Sequence, residues 1–124
     1  FLHHGHYVLI YFAATWCSSC AYGVFTLSHY AQLLTERGVV IIVLEPYDDL
    51  GYAGTPISIF VNHFAGNDSK FLITGYASLE MTEAYDPYGY PDIYYLISPT
   101  GRIIYENIDL SSTINGLLSA VGIG

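Results

Sequence analysis

Residues 7–20 read Tyr-Val-Leu-Ile-Tyr-Phe-Ala-Ala-Thr-Trp-Cys-Ser-Ser-Cys, and this stretch decides the fold. Its first eight residues form an unbroken apolar, β-branched and aromatic run, which is typical of a central strand buried on both faces. Over residues 17–37 the pattern becomes helical, because Val24, Leu27, Ala31 and Leu34 recur at spacings of three and four. The stretch predicts a buried strand that leads directly into a long helix, with two cysteines at the junction.

The elements around this junction indicate an α/β fold. Gly38 is a natural residue to follow the helix, and residues 39–44 form a second apolar run, so a right-handed unit of two parallel strands and one helix is expected. The later pattern predicts a helix over 56–64, capped by Thr55 with Pro56 as its first residue, and then a short strand over 71–74. A helix over 77–84 and a loop over 86–91 are expected to follow. The chain should end with a hairpin of strands over 93–97 and 102–107 and a last helix through 121, capped by Ser111 or Ser112.

Composition and charge exclude several classes of function. The 124 residues are 52% hydrophobic and 11% charged, with three Lys and Arg side chains and a formal net charge of −8. So few cations provide no basic surface for nucleic acid or for anionic lipid head groups. No apolar run approaches the roughly 20 residues that a membrane-spanning helix needs. We expect one folded domain over residues 1–124 that neither inserts into a membrane nor binds nucleic acid.

The two cysteines carry the predicted chemistry. Cys17 and Cys20 lie one helical turn apart, which brings their sulfurs within reach of a disulfide. The free N–H groups and dipole of a helix N-terminus favour a thiolate, so Cys17 is expected to be the exposed, attacking sulfur. Cys20, more buried, is expected to resolve the mixed disulfide. Zinc would require more ligands, which only His3, His4 and His6 are placed to supply.

A strand, Trp16-Cys17-x-x-Cys20, a helix, and later Tyr90-Pro91 directly before a hairpin together resemble the thioredoxin superfamily. The resemblance spans residues 7–121. It implies a thioredoxin fold with a mixed central sheet flanked by helices. It also implies that Pro91 is a cis-proline facing the disulfide, that the backbone of Tyr90 pairs with an extended substrate segment, and that Trp16 shapes the docking surface.

The helix and strand predicted before the Pro91 loop look like the insertion of the extracytoplasmic TlpA-like branch. Together with the absence of further cysteines, this favours a location outside the cytoplasm, although a cytoplasmic reductant role stays open. Classical thioredoxins also begin with a strand and a helix ahead of the active-site strand. Here that strand starts within about eight residues of the beginning of the sequence, so we expect these two elements to be absent or to have been removed. Tyr85, Tyr88, Tyr90, Tyr94 and Tyr95 crowd the loop and form either an aromatic docking patch or ordinary packing.

One functional group of the resembling family has no counterpart at its usual position. Thioredoxins carry a buried aspartate on the active-site strand, where this sequence has Tyr11. Glu45, Asp48 and Asp49, after the second parallel strand, are candidate replacements. Asp92 follows Pro91, and a carboxylate near Cys17 is expected to oppose thiolate formation.

The leading hypothesis is a thiol–disulfide oxidoreductase that exchanges disulfides with protein substrates through Cys17 and Cys20. Its partners would be protein thiols or disulfides and a thiol reductant or oxidant, and it would need no cofactor besides the Cys17–Cys20 disulfide. Two alternatives stay open. One is a thioredoxin-fold module that handles copper or zinc through the cysteines and an N-terminal histidine, and the other is a non-catalytic domain that binds proteins through its tyrosine surface.

Overall fold

A computed structural model describes residues 5–124 of the chain, which form a five-stranded mixed sheet with helices on its faces. The strand order is β3-β2-β1-β4-β5. No helix within the described residues is long and apolar enough to cross a membrane. The elements in chain order are β1 (Tyr7–Ala13), α1 (Ser18–Glu36), β2 (Val39–Glu45), α2 (Ile57–Ala65), β3 (Leu72–Tyr76), α3 (Leu79–Tyr85), β4 (Asp92–Ile97), β5 (Ile103–Ile108) and α4 (Leu110–Ala120).

Strand β1 lies at the centre of the sheet, as its apolar run predicts. It pairs in parallel with β2, Tyr7 opposite Val39, and antiparallel with β4, Ala13 opposite Asp92. Strand β3 adds to the outer edge of β2 in parallel, and β5 pairs antiparallel with β4. The α/β class, the parallel unit, the added strand and the hairpin are therefore confirmed. The register also brings Asp92 next to the end of β1, where the cysteines follow.

Two apolar layers cover the sheet. The larger one packs Leu9 and Tyr11 of β1 against α1, α2 and α4. The smaller one, on the opposite face, joins Phe12 of β1 to Tyr95 of β4 and to Met81 of α3. Because β1 is buried by both layers, its carboxyl end is fixed firmly, and so is the turn that carries the cysteines.

Two of the predicted helix caps are wrong. Thr55 does not cap α2, because Pro56 holds an extended backbone (φ −56°, ψ 142°) and the helix begins at Ile57. Ser111 and Ser112 do not cap α4 either, since that helix begins at Leu110 after Asp109. The Leu110 N–H instead donates to the Asp92 carboxylate at 3.3 Å. The start of α4 is thus attached to the first residue of β4.

Candidate active site

The two cysteines lie where β1 passes into α1. Cys17 is the N-cap residue of α1, with an extended backbone (φ −99°, ψ 123°), and its Sγ accepts the N–H of Cys20 at 3.3 Å. The Cys17 Sγ also lies 3.1 Å from the Ser19 hydroxyl. Both cysteines are free thiols. The sulfur of Cys17 therefore takes the place of the capping oxygen at a helix N-terminus, where backbone N–H groups favour negative charge.

Access differs between the two sulfurs. Cys17 is 9% exposed and Cys20 is fully buried. The sequence predicts a more exposed Cys17, but the walls of a cavity of about 530 Å³ cover most of its side chain. That cavity is lined by Thr15, Trp16, Cys17, Ser18, Ala21, Thr55, Ile59, Phe60, His63 and Phe64. A reagent can reach Cys17 from this side, whereas Cys20 lies behind it.

Pro91 lies against Cys20, but its peptide bond differs from the expectation. The Cys20 thiol donates to the Pro91 carbonyl at 2.7 Å, and the Ala14 N–H donates to the same oxygen at 3.0 Å. No cis peptide bond occurs within residues 5–124, so the predicted cis-proline is wrong and Pro91 is trans. The hydrogen bond from Ala14 continues the β1–β4 ladder one step beyond its last pair, and a trans peptide is the ordinary bond in such an extended segment.

The backbone N–H of Tyr90 is already engaged. It donates to the buried carboxylate of Asp86 at 2.7 Å, so it is not free to pair with a substrate strand as the resemblance implies. Burial raises the pKa of Asp86 to about 6, and the Tyr90 N–H opposes that rise. Asp86 is a residue that the sequence analysis missed. Its only signal is its place before Pro87 in a tight turn.

The tyrosines near this loop divide into two groups. Tyr94 and Tyr95 belong to the core, and the Tyr95 hydroxyl donates to the Tyr85 carbonyl at 2.5 Å. Tyr88 and Tyr90, by contrast, are exposed and lie with ring centroids 6.3 Å apart. Packing accounts for the first group, and the second is available on the surface.

A loop after β2 holds the residues that precede Cys17. The Asp49 carboxylate accepts the N–H of Thr15 at 2.9 Å and its hydroxyl at 2.5 Å, and the Asp49 carbonyl accepts the indole N–H of Trp16 at 2.7 Å. The Trp16 ring also contacts Tyr52, at 4.9 Å between centroids. Asp49 is 5% exposed. These contacts fix the orientation of the turn that precedes Cys17.

Backbone conformation sets that loop apart. Asp48, Asp49 and Leu50 all adopt left-handed backbone angles, with φ of 53°, 51° and 59°. Side chains rarely accept this region, at a cost of roughly 1–2 kcal/mol per residue. A Cβ at Gly54 would overlap with the Thr15 hydroxyl and the Asp49 carboxylate, which explains why glycine stands there. The contacts to Thr15 and Trp16 offset the strain.

Glu45 and Asp48 lie away from the sulfurs. Both line a separate cavity of about 510 Å³ between the end of β2 and the residues that precede α3. Burial, together with the charges of Asp49 and Asp48, raises the pKa of Glu45 to about 7. Asp48 is exposed. The structure thus brings neither of these two predicted acids next to Cys20.

Asp92 and Tyr11 lie behind Cys20 instead. Burial, more than any other effect, raises the pKa of the Cys20 thiol, and Cys17 and the Asp92 charge raise it further. Burial likewise raises the pKa of Asp92, while the nearby Tyr11 hydroxyl, Leu110 N–H and Ser19 hydroxyl act to lower it. The Asp92 charge therefore acts on the thiol of Cys20, and its expected effect on Cys17 stays a prediction.

No group of three or more His, Cys, Asp or Glu side chains is close enough to hold a metal ion within residues 5–124. His3 and His4, which the metal-handling alternative invokes, lie outside the described residues. His63 lines the cavity beside Cys17.

Comparison with known proteins bears on the fold. No protein-family model matches the sequence, and no curated protein matches it. A solved structure of a thioredoxin-like protein from Aeropyrum pernix superposes with a TM-score of 0.66 at 18% identity, covering 90% of this chain and 78% of that one. The chain has the thioredoxin fold.

Two further solved structures show how widely this fold is shared. A secreted disulfide oxidoreductase from Mycobacterium tuberculosis, homologous to Escherichia coli DsbE, matches with a TM-score of 0.65 at 16% identity, covering 95% of this chain and 81% of that one. Peroxiredoxin Q from Xanthomonas campestris matches with a TM-score of 0.59 at 17% identity, covering 96% and 79%. At these identities the likeness concerns the fold alone, and it confirms the thioredoxin fold that the sequence predicts.

Proposed function

We propose that this protein is a thiol–disulfide oxidoreductase that exchanges disulfides with protein substrates through Cys17 and Cys20. The observation that carries the proposal is the arrangement of the two sulfurs. Cys17 caps α1 and opens into a cavity, while Cys20 lies one turn further along, buried against the Pro91 carbonyl. The Cys17 sulfur can be reached from the cavity, and the Cys20 sulfur lies buried next to it.

The first half of the exchange belongs to Cys17. Its thiolate attacks one sulfur of a substrate disulfide, a new bond forms between Cys17 and that sulfur, and the substrate's other sulfur leaves with the electron pair. The N–H of Cys20 donates to the Cys17 sulfur and holds it at the start of α1, beside the cavity. No cofactor is required, because the two electrons come from the cysteines themselves.

The second half belongs to Cys20. Its sulfur attacks Cys17, the bond between Cys17 and the substrate breaks, and the substrate leaves as a reduced thiol after taking up a proton. The protein then holds a Cys17–Cys20 disulfide, which a thiol reductant returns to the dithiol. Run in reverse, the same steps oxidise a substrate.

The substrate segment lies in the cavity beside Cys17. Its walls are mainly apolar, with Trp16 at one side and Ile59 and Phe60 of α2 at the other. A neighbouring hollow lined by Ser18, Ala21, Tyr22, Phe25 and Phe64 extends the same apolar surface along α1. An unfolded or extended segment with an apolar side chain near its cysteine fits this surface better than a highly charged one.

The exchange takes place outside the cytoplasm in this proposal. Support comes from the insertion of α2 and β3 ahead of the Pro91 loop and from the likeness of the fold to a secreted oxidoreductase. A chain with two cysteines and a working disulfide suits an oxidising compartment.

Reduction of insulin by dithiothreitol tests the proposal. The wild-type protein is expected to accelerate the appearance of insulin-chain turbidity catalytically, at concentrations far below that of insulin. Cys17→Ser is expected to abolish the acceleration. The matched control is Ser119→Ala, which removes an exposed hydroxyl on α4, away from the cavity, and keeps both thiols.

Metal binding forms the second arm of this experiment. Calorimetric titration of the reduced protein with Cu(I) and with Zn²⁺ reports any stoichiometric site. Turnover that depends on Cys17 and survives a chelator supports the oxidoreductase. Tight binding of one metal ion without turnover would replace the proposal with the metal-handling alternative. Absence of both turnover and metal binding would favour the alternative of a non-catalytic interaction domain.

A further inference from the structure

A closed polar pocket lies behind Cys20, formed by β1, α1 and β4. Tyr11 and Cys20 are fully buried and Asp92 is 4% exposed. Asp92 is held in place because its Oδ1 accepts the Leu110 N–H and its carbonyl accepts the Asp109 N–H at 3.1 Å. A Cβ at Gly23 of α1 would overlap with the Tyr11 hydroxyl, so the helix approaches this tyrosine as closely as glycine permits.

Two polar atoms in this pocket have no hydrogen-bond partner within the part of the chain that the structure describes. They are the second carboxylate oxygen of Asp92 and the hydroxyl of Tyr11. An unpartnered buried carboxylate oxygen is costly, and stable folds rarely keep one without a reason. The side chains of β1 alternate between the two faces of the sheet, which explains why Tyr11 is buried on the same face as Leu9. Alternation does not explain why the first residue of β4 is a buried aspartate.

Electrostatic coupling links the carboxylate to the resolving thiol. The Asp92 charge raises the pKa of Cys20 and of Tyr11, and the other titratable groups that face this pocket are Cys17, Tyr94 and Asp109. Each of these groups is neutral or negative. A second negative charge in the pocket is therefore strongly disfavoured, whereas moving one proton between two acids leaves the total charge unchanged.

We propose that Asp92 is the proton acceptor for Cys20 when the mixed disulfide is resolved. This inference rests on the proposed function. In the step, Cys20 Sγ–H gives its proton to the Asp92 carboxylate as the Cys20 sulfur bonds to Cys17, and the Cys17–substrate bond breaks with its electron pair on the substrate sulfur. The protonated Asp92 then returns its proton to the departing thiolate through solvent. The Leu110 N–H orients the carboxylate through its other oxygen, and the Tyr11 hydroxyl lies nearby.

This role moves the acid from the position that the resemblance implies. The active-site strand has a tyrosine there, and the carboxylate comes from the neighbouring strand, since Asp92 pairs with Ala13 at the end of β1. Glu45 and Asp48, the acids expected from the sequence, line a different cavity.

Reaction of the reduced protein with 5,5′-dithiobis(2-nitrobenzoic acid) separates the two halves of the exchange. Attack by Cys17 releases one nitrothiobenzoate at a rate that depends on reagent concentration. Resolution by Cys20 releases the second at a rate that does not. Cys20→Ser, which releases only one, identifies the phases.

Asp92→Asn keeps an oxygen for the Leu110 N–H but cannot accept a proton. We expect it to slow the second phase by about a hundredfold at neutral pH, the lower end of what a positioned acid or base supplies, with the first phase unchanged. The matched control is Glu45→Gln, which removes another carboxylate with a buried, unpartnered oxygen and is expected to leave both phases at the wild-type rate.

Two results would overturn this assignment. One is a second phase in Asp92→Asn within about twofold of the wild-type rate, and the other is a slowed second phase in Glu45→Gln, which would make Glu45 the acceptor. Absence of the first phase in the wild type would instead contradict the proposed function itself.

If Asp92→Asn does not fold, the pH dependence of the second phase in the wild-type protein tests the role of Asp92 instead. With a carboxylate acceptor, the rate levels off above the pKa that carbon NMR reports for Asp92. A rate that continues to rise tenfold per pH unit beyond that pKa, as for a thiol ionised by hydroxide, would reject the role.

Discussion

Asp49 holds Thr15 by two hydrogen bonds at once, one from the Thr15 N–H and one from its hydroxyl, across 34 residues of sequence. The bonded pair is buried, and Thr15 stands two residues before Cys17. The position of the attacking sulfur therefore depends on a loop that follows β2. Three consecutive left-handed residues shape that loop, and its contacts to the turn are what hold them in this conformation.

Removing the Asp49 carboxylate is expected to destabilise the protein. Asp49→Ala leaves the Thr15 N–H buried without its partner, and we expect a loss of about 2–3 kcal/mol in the free energy of unfolding. Asp48→Ala is the matched control, because Asp48 has the same left-handed backbone but is exposed. Urea unfolding measures both. Equal losses in the two variants would show that the carboxylate contacts contribute nothing.

Stability is expected to fall as the pH rises from about 4 to about 8. Burial raises the pKa of Asp86 from 3.8 to about 6 and that of Glu45 from 4.5 to about 7. The unfolded chain therefore releases these protons at lower pH than the folded protein does. Protonation thus stabilises the folded state fully below the unfolded pKa values, and this stabilisation is lost as the pH passes the folded ones.

Urea unfolding at a series of pH values measures that slope. Asp86→Asn and Glu45→Gln are each expected to flatten it, since an amide cannot titrate. Growing repulsion among the other carboxylates acts in the same direction, but it persists in both variants. A free energy of unfolding that increases across this interval would contradict the assigned direction of the shifts.

The apolar wall of the cavity beside Cys17 is expected to matter for protein substrates. Ile59 lines that cavity and is 58% exposed. Ile59→Gln is expected to raise the KM for insulin about fivefold, which corresponds to about 1 kcal/mol of lost apolar contact. The rate at which Cys17 reacts with 5,5′-dithiobis(2-nitrobenzoic acid) should not change, because this small reagent does not depend on contact with the apolar wall.

Ile104→Gln provides the control for this substitution. Ile104 is 46% exposed on β5 and does not line the cavity. Its KM for insulin is expected to equal that of the wild type. The same increase in both variants would indicate a general effect of surface polarity instead of a substrate contact.

Local pattern was sufficient to predict the elements that place the cysteines. The apolar run of β1, the helical spacing in α1 and the glycine after it are all short-range signals, and Gly38 does adopt a left-handed backbone with φ of 84°. The α/β class followed from the order of such signals. The α/β class was therefore predictable from neighbours in sequence, whereas the thioredoxin fold was expected from the resemblance.

Contacts between distant segments were not predictable in the same way. The bond from Asp49 to Thr15 depends on three left-handed residues, none of which is a glycine that would have signalled them. The N–H of Tyr90 is taken by Asp86 through a turn whose geometry the sequence does not specify. Asp92 was noticed as a group near Cys17, but its influence on Cys20 was not predicted, because the position of Asp92 depends on the β1–β4 register.

Equilibration of the protein in dithiothreitol and glutathione buffers that together span a wide range of redox poise, followed by acid quenching and mass spectrometry, tests the central claim most directly. We predict one reversible two-electron transition, in which the oxidised chain is a monomer lighter by two hydrogen atoms through a Cys17–Cys20 disulfide. Cys17→Ser and Cys20→Ser should each lose it. Thiols that stay reduced throughout, or that oxidise only into disulfides between chains, would contradict the claim.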